Sequence, residues 1–205
     1  MLFIVSCKPE KSKKDIIVSN TQKEITYAKG FTIKKQESGV NIINITSPWP
    51  NAKNAFTYAL IPKDKAAFIT LNKDDYDAIV LVPIETVVVT STTHIPVLEA
   101  LNVEQKLVGF PDTEYISSSK TRALINSGQV KELGENESIN TEMLLELQPE
   151  LVIGFSINNQ NKTYENIQRA NIPVVYNGDW TEETPLGKAE WIKFFAPFFG
   201  LEEKA

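Results

Sequence analysis

A chain of 205 residues, 42% hydrophobic and 23% charged, has the make-up of one large globular domain or two small ones. A formal charge of −5, with no basic stripe carrying interleaved aromatics, argues against a nucleic-acid partner. One cysteine excludes an internal disulfide, one histidine excludes a histidine-rich metal site, and no run approaches the roughly 20 apolar residues of a membrane span.

In chain order, Met1 to Cys7 reads MLFIVSC: a short apolar run, a small residue, then a cysteine. This is the pattern at the end of a bacterial lipoprotein signal, in which Cys7 carries the lipid. The apolar run is shorter than a full signal core, so an exposed thiol is the other reading. Residues 8–23 are polar and lysine-rich, a tether. From Ile25 to about Pro83 the signals are β. Phe31 to Ile33 and Val40 to Ile45 flank the turn residues Glu37-Ser38-Gly39, and Ala55 to Ile61 forms another strand.

The pattern then changes. Thr86 to Val89 is a β-branched strand, and Ser91-Thr92-Thr93 with Pro96 marks a helix start. Leu107-Val108 is the next strand, running to Gly109-Phe110. A helix over 118–127 stops at Gly128. Asn140 caps a helix with apolar Met143, Leu144 and Leu147 that Pro149 ends. Leu151-Val152-Ile153 is a continuous apolar run, which suits a parallel strand covered on both faces. A helix over 165–170 and a strand over 172–176 follow, then an aromatic segment, EWIKFFAPFF, predicted as a buried helix interrupted near Pro197. Strands alternating with short helices predict an open, mostly parallel α/β sheet with helices on both faces, preceded by a β-rich extension.

Ligands of such sheets bind beyond the carboxyl ends of the strands. Those positions here hold hydroxyl, amide and aromatic groups with few charges. No G-x-S-x-G, G-x-G-x-x-G, Walker, CxxC or HExxH motif occurs. His94 at a helix start reads first as a buried polar residue. Glu142 in a first helical turn is favoured there by the helix dipole alone. Phe155 and Trp180 fit core packing and a ligand platform equally well.

The segments PIETVVVTSTTHIPVLEAL, KLVGF, INTEMLLELQPELVIGF and NIPVVYNGDW, closing with ETPLGKAEWIKFFAPFFG, resemble the amino-terminal lobe of the helical-backbone substrate-binding proteins of ABC importers. The resemblance covers residues 83–205. It implies capture of an iron chelate (siderophore or haem) or cobalamin without catalysis or cofactor, and delivery to an ABC permease dimer by a monomer in the cell envelope. Ligand-binding positions carried over are Ser91, Thr92, Thr93, His94, Phe110, Asp112, Phe155 and Trp180. Glu142 matches an acid that docks to permease arginines, and Cys7 would be the membrane anchor. Asn136 stands where some relatives place an aromatic. The implied organisation is a signal remnant and tether (1–23), a β-rich extension (24–82), the α/β lobe (83–200) and the first residues of an interlobe helix (201–205). An envelope adhesion or assembly lipoprotein, and an α/β enzyme acting on a small polar substrate, are the alternatives.

Overall fold

The computed structural model describes residues 24–158 and 161–205. Cys7 and the lysine-rich stretch after it lie outside them.

Strands β1 (Phe31–Lys35) and β2 (Asn41–Ile45) form the expected hairpin, with Phe31 opposite Ile45. Gly39 takes φ +90 in its turn, a conformation that glycine adopts without steric penalty. Strand β3 (Phe56–Pro62) pairs antiparallel with β2, and β4 (Ala78–Val82) lies parallel to β3. The sequence pattern does not single out β4. Its parallel pairing needs a crossover, built here from two 3-10 turns, Ala66–Phe68 and Lys73–Asp75, and not from a helix.

A second sheet follows: β5 (Val87–Val89), α1 (His94–Ala100), β6 (Leu107–Phe110), α2 (Ser119–Asn126), β7 (Lys131–Glu132), α3 (Thr141–Leu147), β8 (Leu151–Gly154), α4 (Lys162–Arg169) and β9 (Val174–Tyr176). The strand order is β7-β6-β5-β8-β9 and every pairing is parallel. Local signals set the boundaries as expected. The Ser118 and Asn140 side chains accept from Thr121 and Met143 amides, and Gly128 turns left-handed after α2. The start of α1 differs. Thr93 supplies no side-chain cap, because the Ser91 hydroxyl is bonded back to the Thr93 amide and hydroxyl.

The apolar runs are covered on both faces. Val87 and Val89 of β5, with their neighbours Leu151 and Ile153, face one core; Val88 and Val152 face the other. The second core is closed by Leu144 of α3 and by Tyr164 and Ile167 of α4. The first is shared with the extension, whose Phe31, Ile43, Tyr58 and Leu60 point into it.

The aromatic segment joins the two sheets. After α5 (Pro185–Glu190) it forms α6 (Ile192–Phe195) and a 3-10 turn, Ala196–Phe199. Trp191, Phe194, Phe195 and Phe198 are fully buried. Phe31 of β1 lies 4.5 Å from the Trp191 ring and 6.1 Å from Phe194. Burying each such ring contributes roughly 1.5–3 kcal/mol. The extension is therefore fused to the lobe through a shared core.

Two carboxylates reinforce this junction. Glu190 accepts from the Thr26, Tyr27 and Ala28 amides at 2.5–3.0 Å and from Lys193. Glu182 accepts from the Lys29 and Gly30 amides and from the Trp191 indole. Five consecutive backbone amides ahead of β1 are thus held by two side chains from the far end of the chain.

Candidate functional site

The parallel order brings four loops together beyond the carboxyl ends of β5, β6, β8 and β9. They are residues 90–93, 111–116, 155–158 and 177–182. Three exposed large apolar side chains sit in them: Tyr115 at 67%, Ile157 at 64% and Trp180 at 36% exposure. Other large apolar side chains are exposed elsewhere, Phe68 at 87% and Leu186 at 57%, so these three count only through their shared place beyond the strand ends, where open parallel sheets bind ligands.

The eight ligand-binding positions named from the sequence divide. Thr92, Thr93 and Trp180 reach the surface, and Ser91, Asp112 and Phe155 are partly buried at it. His94 and Phe110 are corrected: both side chains turn inward. Phe110 ends a central strand and fills the first core. His94 is fully buried, 5.2 Å from the Phe195 ring, and neither ring nitrogen has a hydrogen-bond partner among the described residues. Burial drives its pKa down, against an opposing pull from Asp179 and Asn177. Tyr115 and Ile157 are the exposed side chains of the same loops. The sequence offers only their position after a strand as a signal.

Buried polar groups hold the loops in shape. The Phe155 amide donates to the Thr90 hydroxyl (3.3 Å), Thr90 bonds the Tyr164 hydroxyl (2.9 Å), and that hydroxyl donates to the Phe155 carbonyl (3.2 Å). The Tyr164 ring lies directly over Gly154, leaving no room for a Cβ. Burial raises the Tyr164 hydroxyl pKa, so it remains a donor at any physiological pH. Tyr164→Phe is expected to cost about 1–2 kcal/mol, since it leaves the Thr90 hydroxyl and Phe155 carbonyl short of a partner. Urea unfolding of the two proteins measures this.

The β6 loop is held by Glu132, whose carboxylate accepts from the Asp112, Thr113 and Gly134 amides and from the Thr113 hydroxyl. Burial alone would raise that carboxyl. The Thr113 and backbone hydrogen bonds outweigh it and hold the pKa below the usual carboxylate value. Asp112 takes the left-handed conformation (φ +53), and its carboxylate accepts from the Asn136 amide.

Glu142 is exposed in the first turn of α3. The sequence alone sets Glu142 and Phe155 at the two ends of one segment. The topology returns both to the same edge of the sheet: α3 begins beside the β6 loop, where the Asn140 amide donates to the Leu133 carbonyl (2.7 Å) and the Asp112 amide to the Gly134 carbonyl (2.8 Å).

The profile of a family described as periplasmic binding protein matches residues 87–205, more than half of the chain. An uncharacterized lipoprotein of Methanocaldococcus jannaschii, MJ0878, is 24% identical over 206 residues, covering 91% of this chain and 48% of its own length. The chain therefore spans about half of that relative. The petrobactin-binding protein YclQ from Bacillus subtilis superposes with a TM-score of 0.51 at 16% identity, covering 86% of this chain and 47% of that one. The periplasmic heme-binding protein HutB of Vibrio cholerae gives 0.46 at 21% identity, covering 58% and 43%.

Proposed function

Since the chain belongs to the periplasmic binding protein family, a family of binding proteins and not of enzymes, we propose that it captures a metal chelate outside the cytoplasm for import by an ABC permease. The observation that carries the reading is the exposure of Tyr115, Ile157 and Trp180 in loops beyond the same edge of the sheet as the hydroxyls of Ser91, Thr92 and Thr93. Rings and an aliphatic side chain suit the apolar faces of a bulky ligand, while hydroxyls and Asp112 suit its polar rim. The name of YclQ, a fold relative at low identity, supports a chelate of the siderophore kind. Haem and cobalamin share the same broad, weakly charged surface.

Glu142 is the proposed docking residue for the permease. An exposed charge at the rim sets the rate and register of encounter more than its strength. Cys7 is the proposed lipid attachment site, which accords with the lipoprotein name of MJ0878. Among the described residues no helix is long and apolar enough to cross a membrane.

The test is titration of the full-length protein with haemin, ferric desferrioxamine B and cyanocobalamin, followed by tryptophan fluorescence. One of the three is expected to quench with micromolar or tighter affinity, and to lose about tenfold in affinity in Trp180→Ala, the loss of one ring contact. Failure of all three to bind would overturn the chelate reading.

A further inference from the structure

The lobe's cleft is not built by the lobe alone. The loop after β2, Ser47-Pro48-Trp49-Pro50, belongs to the extension, yet it packs against the end of β9 and the loop that carries Trp180. Gly178 lies so close that a Cβ there would meet the Ser47 carbonyl oxygen at 2.5 Å. The Thr181 hydroxyl lies 3.0 Å from the same carbonyl. Trp49 is buried and meets Tyr176 edge-on, with ring centroids 5.5 Å apart, and Phe56 at 5.6 Å. The Tyr176 amide donates to the Tyr58 hydroxyl of β3 (2.9 Å).

The contacts continue inward. Tyr176 packs on Tyr164 at 5.7 Å, and Tyr164 is the residue whose hydroxyl holds the Phe155 carbonyl. One line of packed rings therefore runs from the extension to Phe155, and a separate polar contact runs from Ser47 to the Trp180 loop. Close-packed interiors transmit displacement along such contacts, because a ring cannot shift without moving the ring against it.

We propose that Trp49 is a positioning residue for ligand binding: through Tyr176 and Tyr164, and beside the Ser47 contact, the extension sets the placement of Phe155 and of the Trp180 loop. The proposal gives the extension a binding role and rests on the cleft assignment above.

Hydrogen–deuterium exchange of the full-length protein tests it without any ligand, so the result is independent of the chelate titrations. Peptides over 154–158 and 177–182 are followed in the native protein, Trp49→Ala, Trp49→Phe and Ile61→Ala. Ile61 lies in the small cluster with Val40 and Ala59 on the other face of the same sheet, and controls for general loosening of the extension. Trp49→Ala is expected to speed exchange about tenfold in both peptides, Trp49→Phe to restore it to within about threefold, and Ile61→Ala to leave both unchanged. Equal acceleration by Ile61→Ala, or acceleration confined to residues 31–62, would overturn the proposal. Should Trp49→Ala fail to fold, Tyr58→Phe serves, since it removes only the partner of the Tyr176 amide. It is expected to speed exchange over 154–158 and 177–182, and no change in either overturns the proposal. For a chelate that binds, Trp49→Ala weakens affinity about tenfold and Trp49→Phe recovers most of it.

Discussion

Glu190→Ala is expected to lower the unfolding free energy at neutral pH by about 3 kcal/mol. The side chain is only 5% exposed and bonded to three successive amides and Lys193. Without it those amides find partners only if the strand entry peels away from α5, which also opens Trp191 to water. Burial by itself would raise the carboxyl pKa. The Lys193 bond and the Ala28, Thr26 and Tyr27 amides overcome that and hold it at about 2, against 4.5 when free. A depressed pKa contributes stability that is full above the unfolded value and lost as the group protonates. The contribution is therefore complete above pH 4.5 and disappears as the pH falls toward 2. Urea unfolding of the native protein and Glu190→Gln at a series of pH values measures it. The difference between the two is expected to shrink across that window, and a constant difference would show that the charge is not the cause.

The second large effect is expected in cells. Glu142→Arg should reduce chelate uptake about a hundredfold, because in the proposed docking a like charge placed against permease arginines costs several kcal/mol. Binding and folding should be nearly untouched. The residue is exposed, and reversing a charge in a first helical turn costs about 0.3–1 kcal/mol. Uptake is read with the labelled chelate in a strain lacking the native gene, beside a titration of the purified variant. Normal uptake, or lost chelate affinity with an unchanged melting temperature, would refute the docking role.

Much of the lobe was legible from residues four or fewer apart. Asn140 with the Met143 amide, Ser118 with the Thr121 amide, and Gly128 after α2 are local hydrogen-bond and dihedral events. So are the β-branched runs of β5 and β8, whose continuous apolarity needs cover on both faces. The cleft was legible only as a set of loops. Which side chain of each loop turns outward depends on what packs beneath it. His94 and Phe110 match lining positions by family resemblance and are core in the fold, because α6 and the first core take up those faces; for His94 that is what its place at a helix start suggests. Tyr115 and Ile157 look unremarkable in the sequence and are exposed.

Element type, the alternation that makes a parallel sheet, and the absence of familiar catalytic motifs all follow from short-range pattern, since each depends on residues within a turn or a strand of one another. The clamp from Glu190 to Thr26 spans 164 residues, and the bond from Tyr176 to Tyr58 spans 118. No periodicity encodes such pairs. They exist because the shared aromatic core brings the extension against the lobe, and only that packing decides that β3 and the loop after β2 lie against the end of β9 and the 177–182 loop.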